Sequence, residues 1–123
     1  MNRRAFALVL LAGLPLLGQA PPNPEVTAKT VIFVCEHGAA KSVIAAAYFN
    51  KLAAAQGLPY TAVARGTKPD AEVPATIRTD LTSRGLSVPA ARPQVVTDEE
   101  IQRAAKVVSM ALDQKWGQTP TPE

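Results

Sequence analysis

The chain has 123 residues, a length typical of one small domain. Its formal charge of +3 comes from 13 basic and 10 acidic side chains, and without the two arginines near the N-terminus the balance is 11 against 10. No part of the remainder concentrates Lys and Arg with interleaved aromatic residues, which argues against nucleic-acid binding. One cysteine and one histidine cannot build a zinc site or an internal disulfide, so we expect no metal and no cofactor.

Residues 1–20 have the organisation of an export signal. Two arginines precede an apolar run over 5–18, and "GQA", ending at Ala20, offers small residues at a cleavage site. The run is short for a membrane span, so we expect no stable span after cleavage. Pro21 directly after the expected cut leaves an uncleaved anchor as the alternative. We predict export to the periplasm or beyond the cell, and "NRRAF" also fits the twin-arginine route.

The remainder is predicted as a linker followed by one domain over 30–123. Residues 21–29, "PPNPEVTAK", are proline-rich and typical of a linker. "TVIFVC" over 30–35 is a continuous apolar run, as expected for a strand buried on both faces of a parallel sheet. Apolar residues at helical spacing predict a helix over 42–56, ended by Gly57.

The following residues alternate between strand and helix patterns. "TDEEIQRA" begins with a capping box, in which Thr97 and Glu100 satisfy each other's backbone N–H groups. We predict a strand over 60–65, a helix over 74–84 closed by Gly85, a helix over 97–104, a strand over 106–110 and an irregular tail.

This alternation predicts an α/β fold, a three-layer sandwich with a small parallel sheet between helices. In such folds ligands bind beyond the carboxyl ends of the strands. Cys35 lies at the carboxyl end of the first strand, which makes the loop after it the expected site.

The loop "CEHGAAKS" combines a thiol, a glycine turn and a helix start. Successive backbone N–H groups in such a loop converge on one point and bind anions. Lys41 at the start of a helix is electrostatically unfavourable unless an anion is held there. The same helix start and the ammonium favour a Cys35 thiolate, to which Ser42 could donate a hydrogen bond. The alternative is that Cys35 is only a small buried apolar residue.

From "VIFVCEHGAAKS" and the alanine-rich helix after it, the sequence resembles the low-molecular-weight protein tyrosine phosphatases and the related arsenate reductases. "VARGT", "IRTDLTSRGLSV" and "RPQVVTDEEIQRAAKVVSM" extend the resemblance over about Thr30 to Met110. It implies a flavodoxin-like sheet, with a C-x5-R-S loop after the first strand that binds phosphate or a similar oxyanion. A phosphorylated protein is an expected partner, and no nucleic acid is.

The resemblance also implies roles for the loop residues. Cys35 matches the nucleophile, Ser42 the serine that stabilises its thiolate, and Lys41 the position of the catalytic arginine. The phosphate-binding amides would belong to Glu36, His37, Gly38, Ala39, Ala40 and Lys41.

The sequence departs from the family in its charged and bracing residues. Lys41 replaces an arginine that would grip phosphate with a planar fork, and Gly38 replaces an asparagine that braces the loop. Glu36 adds a negative charge beside the anion site. The family's Asp-Pro general acid is missing, with Asp113 as the nearest candidate. The chain also stops short of the family's last strand and helix, which predicts a C-terminally truncated form of the fold, where Trp116 would pack or cover the exposed edge.

These residues support several functions. The first is a phosphatase that acts weakly on phosphomonoesters of the phosphotyrosine or aryl phosphate type. The alternative is a catalytically impaired module that binds an oxyanion or a partner protein. Arsenate reduction ranks lower, because a single cysteine would need an external thiol to finish the reaction. A thiol redox sensor would use the same cysteine.

Overall fold

The computed structural model describes residues 24–110, which form a three-stranded sheet and three helices. Every element predicted in this range is present, with ends that differ from the prediction by at most one residue. In chain order they are β1 (Thr30–Cys35), α1 (Lys41–Ala55), β2 (Thr61–Gly66), α2 (Ala75–Ser83), α3 (Asp98–Arg103) and β3 (Lys106–Ser109).

The sheet is parallel, as predicted, with β1 in the centre and strand order β2-β1-β3. Cys35 pairs with Gly66 at the last position of the β1–β2 ladder, and Val34 pairs with Ser109 at the last position of the β1–β3 ladder. The carboxyl ends of all three strands therefore meet at one edge. Cys35 lies at the centre of that edge, because β1 is the middle strand.

Alternate residues of β1 contact different layers. Val31 packs with Ala46 of α1 and Ala62 of β2, whereas Ile32 and Val34 are fully buried on the opposite face. The small side chains of α1 let this helix lie close to the sheet. A second cluster joins α1 to α2 through Val43, Ala47, Val73, Leu81 and Leu86.

Helix α3 is fixed at its start and along its side. The predicted capping box is present: Glu100 N–H donates to Oγ1 of Thr97, and the Thr97 N–H donates to the Glu100 carboxylate. The same carboxylate accepts hydrogen bonds from Nε and Nη2 of Arg65, whose side chain is 5% exposed. A buried guanidinium needs such a paired acceptor, so this ion pair ties α3 to β2.

Part of the predicted linker belongs to the core. Val26 is 2% exposed and packs against Ile32 and Val34. The Thr30 N–H donates to the carbonyl of Thr27, which makes a tight turn directly before β1. The predicted leader over 1–20, residues 21–23, Asp113 and Trp116 lie outside the described residues. None of the helices within residues 24–110 is long and apolar enough to cross a bilayer.

Candidate active site

Cys35 ends β1 and is followed by a bent segment over 36–40 that leads into α1. The side chain is nearly buried, with 5% of the residue exposed. Gly38 has a φ of +61°, a left-handed conformation that glycine adopts without strain. The chain can therefore turn back over the sulfur within three residues of the strand.

Two neighbours make hydrogen bonds with the Cys35 sulfur. The Gly38 N–H donates to Sγ over 3.2 Å, and Sγ lies 3.1 Å from Oγ of Ser42. Ser42 is fully buried in the first turn of α1, so its hydroxyl is held close to the sulfur. When Cys35 is a thiolate, both neighbours can donate to it.

The surroundings of the sulfur lower the pKa of Cys35. Burial by itself raises the pKa, because it disfavours the charged form. The hydroxyl of Ser42, followed by the backbone N–H groups of Ser42, Gly38 and Ala39, favours the thiolate and outweighs burial. The net pKa lies below the ordinary value for a thiol, which increases the nucleophilic fraction near neutral pH.

The loop after β2 braces the cysteine loop, residues 35–40, through backbone hydrogen bonds. The N–H groups of Thr67, Lys68 and Asp70 donate to the carbonyls of Cys35, Glu36 and His37, over 3.1, 2.8 and 3.0 Å respectively. These three bonds fix the first half of the loop without using its N–H groups. The N–H groups on the inward side of the loop therefore take no part in this bracing, and that of Gly38 donates to the Cys35 sulfur.

Gly38 and Gly66 pack backbone to backbone beneath the loop. A Cβ atom on Gly38 would lie 2.7 Å from the Gly66 nitrogen, and one on Gly66 would lie 2.8 Å from the Gly38 nitrogen. Neither position has room for a side chain. Close backbone packing therefore supports the loop at Gly38, the position where the resemblance implied a bracing asparagine.

His37 lies on the outer side of the loop between two carboxylates. Its Nδ1 atom is 3.0 Å from Oδ1 of Asp70, and its Nε2 atom is 3.8 Å from Oε2 of Glu36. All three side chains are substantially exposed. The contact between His37 and Glu36 shows that the charge of Glu36 is directed at the imidazole.

Lys41 begins α1 and is exposed. It has no salt-bridge partner among residues 24–110. The preceding Ala40 provides no side-chain cap, and the first turn of α1 contains no acidic residue. The first helical hydrogen bond is donated by Ile44, so the amides of residues 41–43 have no helical carbonyl partner. An anion would satisfy both these amides and the ammonium group.

Arg65 does not replace the missing loop arginine. It lies one residue before Gly66, at the same edge of the sheet as Cys35, but its guanidinium is held by Glu100 on the opposite face. It also donates to the carbonyl of Ala64 through Nη1. Lys41 is therefore the cation that the described part of the loop itself offers to an anion.

A cavity of about 250 Å³ lies between α1, the outer edge of β2 and residues 87–93. Its lining is mainly apolar, with Val43, Ala47 and Val88 among the residues that line it. It reaches the cysteine loop only at Gly38. We do not assign the phosphate site to this cavity, because the N–H groups and the cation that suit a phosphate lie around Cys35.

The structure brings Cys35, Gly38, Ala39 and Ser42 together around one sulfur and places Lys41 at the exposed start of α1. The catalytic and phosphate-binding roles of these residues, and of Glu36, His37 and Ala40, stay predictions. The bracing by Gly66 and Asp70 was not predicted. The only signal for them was the turn-rich composition of the segment after the second strand. Within residues 24–110, no group of three His, Cys, Asp or Glu side chains could hold a metal ion.

One family model and several solved structures match the chain. The sequence model of the family "Low molecular weight phosphotyrosine protein phosphatase" matches residues 30–119. No curated protein matches the chain.

Solved structures that are similar to the chain include the following three. A low molecular weight protein tyrosine phosphatase from T. tengcongensis has a TM-score of 0.62 and 24% identity, over 67% of this chain and 58% of its own. A mutant of YwlE from Bacillus subtilis has a TM-score of 0.60 and 22% identity, over 66% and 55%. A thioredoxin-dependent arsenate reductase from Corynebacterium glutamicum has a TM-score of 0.63 and 26% identity, over 76% and 46%. The chain thus spans less than two thirds of the length of each.

Proposed function

Because the chain belongs to the low molecular weight phosphotyrosine protein phosphatase family, we propose that it is a cysteine-dependent phosphatase with weak activity on phosphomonoesters. The observation that carries this proposal is the Cys35 sulfur, which has the Gly38 N–H at 3.2 Å and the Ser42 hydroxyl at 3.1 Å. These contacts lower the pKa of Cys35 next to the start of α1, where the amides of residues 41–43 have no helical carbonyl partner. A thiolate beneath an anion site is the arrangement needed for attack on phosphorus.

The proposed reaction has two steps. Sγ of Cys35 forms a bond to phosphorus while the bond from phosphorus to the leaving oxygen breaks, which gives a phosphocysteine and releases an alkoxide or phenolate that takes its proton from water. Water then attacks phosphorus, the S–P bond breaks, and inorganic phosphate leaves as the thiolate is restored. The loop amides and the Lys41 ammonium stabilise the charge on the phosphoryl oxygens in both steps.

Within residues 24–110, this site has no carboxyl group placed to protonate the leaving group. Among residues 24–110, the carboxylates next to the loop are Glu36 and Asp70, and both contact His37. A positioned general acid typically contributes about 10²–10⁴-fold to the rate. We therefore propose aryl phosphates as the best substrates, because a phenolate leaves with little help.

Turnover of p-nitrophenyl phosphate tests this function. The full chain is compared with Cys35→Ser and Lys41→Arg. We expect turnover that disappears in Cys35→Ser and rises in Lys41→Arg, because arginine binds the phosphoryl group with two parallel hydrogen bonds. Equal turnover by the full chain and Cys35→Ser would contradict the proposal.

A second candidate function is oxyanion or partner binding without chemistry. The exposed Lys41, with no salt-bridge partner among residues 24–110, favours it, since a flexible point charge neutralises a bound anion without orienting it for attack. If this function is correct, all three proteins bind phosphate in calorimetry, and none turns over the substrate. A phosphorylated protein as partner and export through residues 1–20 stay predictions.

Arsenate reduction is the less favoured chemistry at this site. It has the support of one similar structure, the arsenate reductase from Corynebacterium glutamicum. The 123 residues contain one cysteine, so an external thiol would have to attack the Cys35 sulfur of the arsenic–cysteine adduct. The new S–S bond would form as the S–As bond breaks, arsenite would leave with that electron pair, and a second external thiol would reduce the mixed disulfide. Arsenate reduction that depends on Cys35 and on an added thiol would favour this chemistry over phosphate ester hydrolysis.

A further inference from the structure

Asp70 makes two contacts with the same residue of the cysteine loop. Its backbone N–H donates to the carbonyl of His37 over 3.0 Å, and its Oδ1 atom lies 3.0 Å from Nδ1 of His37. An ionised carboxylate only accepts, so Nδ1 carries the hydrogen in this contact. The two contacts together hold the backbone and the side chain of His37 against the loop after β2.

The peptide group that Asp70 holds is the one that faces the sulfur. Its carbonyl belongs to His37, and its N–H belongs to Gly38, which donates to Sγ of Cys35 over 3.2 Å. In a trans peptide the carbonyl and the N–H point in opposite directions. A donor fixed on the outer, carbonyl side therefore directs the N–H toward the sulfur on the inner side.

We propose that Asp70 is a positioning residue that holds the His37–Gly38 peptide with its N–H directed at the Cys35 sulfur. Hydrogen bonds in series polarise one another, so the Asp70 N–H also makes the Gly38 N–H a better donor. The side chain keeps that N–H in place by anchoring it to His37. This role rests on the proposed function of Cys35 as the nucleophile, and it extends the site to a residue 35 positions further along the chain.

The charged groups around the Asp70–His37 contact determine which control variant is suitable. Glu36 is 3.8 Å from the other ring nitrogen of His37, and Lys68 donates its backbone N–H to the Glu36 carbonyl. Glu72 is exposed in the same loop as Asp70 and makes no salt bridge with residues 24–110. Glu72→Ala removes the same charge from the same loop without touching His37, and it is the matched control.

The rate at which iodoacetamide alkylates Cys35 tests the proposed role of Asp70 directly. The chain has one cysteine, so the rate reports the thiolate of Cys35 alone. Near neutral pH we expect Asp70→Ala and His37→Ala to react about threefold more slowly than the unmodified chain, the size of one partly exposed hydrogen bond. The double variant should be no slower than either single variant, and Asp70→Asn, which keeps the acceptor, should be close to the unmodified chain.

The pH profile separates positioning from a merely structural role. Above the ordinary pKa of a thiol, Asp70→Ala and the unmodified chain should react at the same rate, because both are then thiolates. A rate for Asp70→Ala equal to that of Glu72→Ala near neutral pH would overturn the inference, as would a slower rate at every pH. Absence of phosphatase turnover in the full chain would contradict the proposed function and would leave this alkylation result unaffected.

Discussion

The two helices α1 and α3 begin in opposite ways. Thr97 caps α3, Glu100 completes the capping box, and the first turn holds three acidic residues that suit the positive end of the helix. Ala40 gives α1 no side-chain cap, the first turn has no acidic residue, and its first helical position is Lys41. Within residues 24–110, one helix start is thus capped by its own side chains and the other has no side-chain cap.

The difference is the one expected if the start of α1 binds an anion, as we propose. Its first amides, which have no helical carbonyl partner, follow directly on the Cys35 loop, and the Ser42 hydroxyl in its first turn contacts the Cys35 sulfur. Helix α3 uses its capping carboxylate to hold Arg65 and so contributes to the core. Substitutions at the two helix starts should therefore have different consequences.

Gly38→Ala, in the loop before α1, should have the largest effect on stability. An added Cβ would lie 2.7 Å from the Gly66 nitrogen, at a φ of +61° that alanine rarely adopts. We expect the free energy of unfolding to fall by about 3 kcal/mol in urea denaturation. Gly57→Ala is the control, because Gly57 has a similar φ of +67° but no neighbour within 4 Å, and it should cost about 1 kcal/mol. Equal losses in the two variants would contradict the close packing of Gly38.

Lys41→Glu gives α1 the charge pattern of α3. We expect turnover of p-nitrophenyl phosphate to fall by about 10²-fold or more, because a cation that stabilises the phosphoryl oxygens is replaced by an anion. The free energy of unfolding should rise by about 0.5 kcal/mol, since the new carboxylate suits the helix dipole. Asp98→Lys at the same position of α3 should lower stability by a similar amount and leave turnover unchanged. Stability that falls in Lys41→Glu would contradict the comparison.

Ser42→Ala tests the hydroxyl that contacts the sulfur. Its loss removes a group that lowers the pKa of Cys35, so that pKa should rise. The alkylation profile then moves to higher pH, and near neutral pH the rate should fall about tenfold, as expected for a hydrogen bond to a charged group. The rates should converge at alkaline pH. An unchanged profile would show that Ser42 does not stabilise the thiolate.

Thr97→Ala should have the smallest effect on the site. It removes the capping bond of α3, which is worth about 1 kcal/mol of stability. Turnover and Cys35 alkylation should stay unchanged, because the hydrogen bonds of Thr97 within residues 24–110 are made to α3 alone. A loss of turnover as large as that of Lys41→Glu would contradict the separation of the two helix starts.

Local patterns were enough to predict the elements. The apolar run of β1, the capping box of α3 and the glycines after α1 and α2 are each patterns of neighbouring residues. The parallel arrangement of the sheet followed from the alternation of strands and helices along the chain. The position of Cys35 at the carboxyl edge of the sheet followed from the same argument. The resemblance to the phosphatase family supplied the expected partners of the sulfur.

Contacts between distant residues could not be predicted in this way. The Asp70–His37 contact and the Gly38–Gly66 packing depend on the exact pairing of β1 with β2, which no short pattern specifies. The Arg65–Glu100 pair joins residues 35 positions apart, and its arginine looked like any charge at a strand end. Such contacts decide whether a loop is braced, and only the assembled sheet reveals them.

We propose that Cys35 and the start of α1 form one anion site. The most direct measurement is the rate of Cys35 alkylation by iodoacetamide in increasing concentrations of inorganic phosphate, with chloride added to hold the ionic strength constant. We predict saturable protection in the unmodified chain, retained in Thr97→Ala and lost in Lys41→Glu. An alkylation rate that does not change with phosphate would contradict the claim.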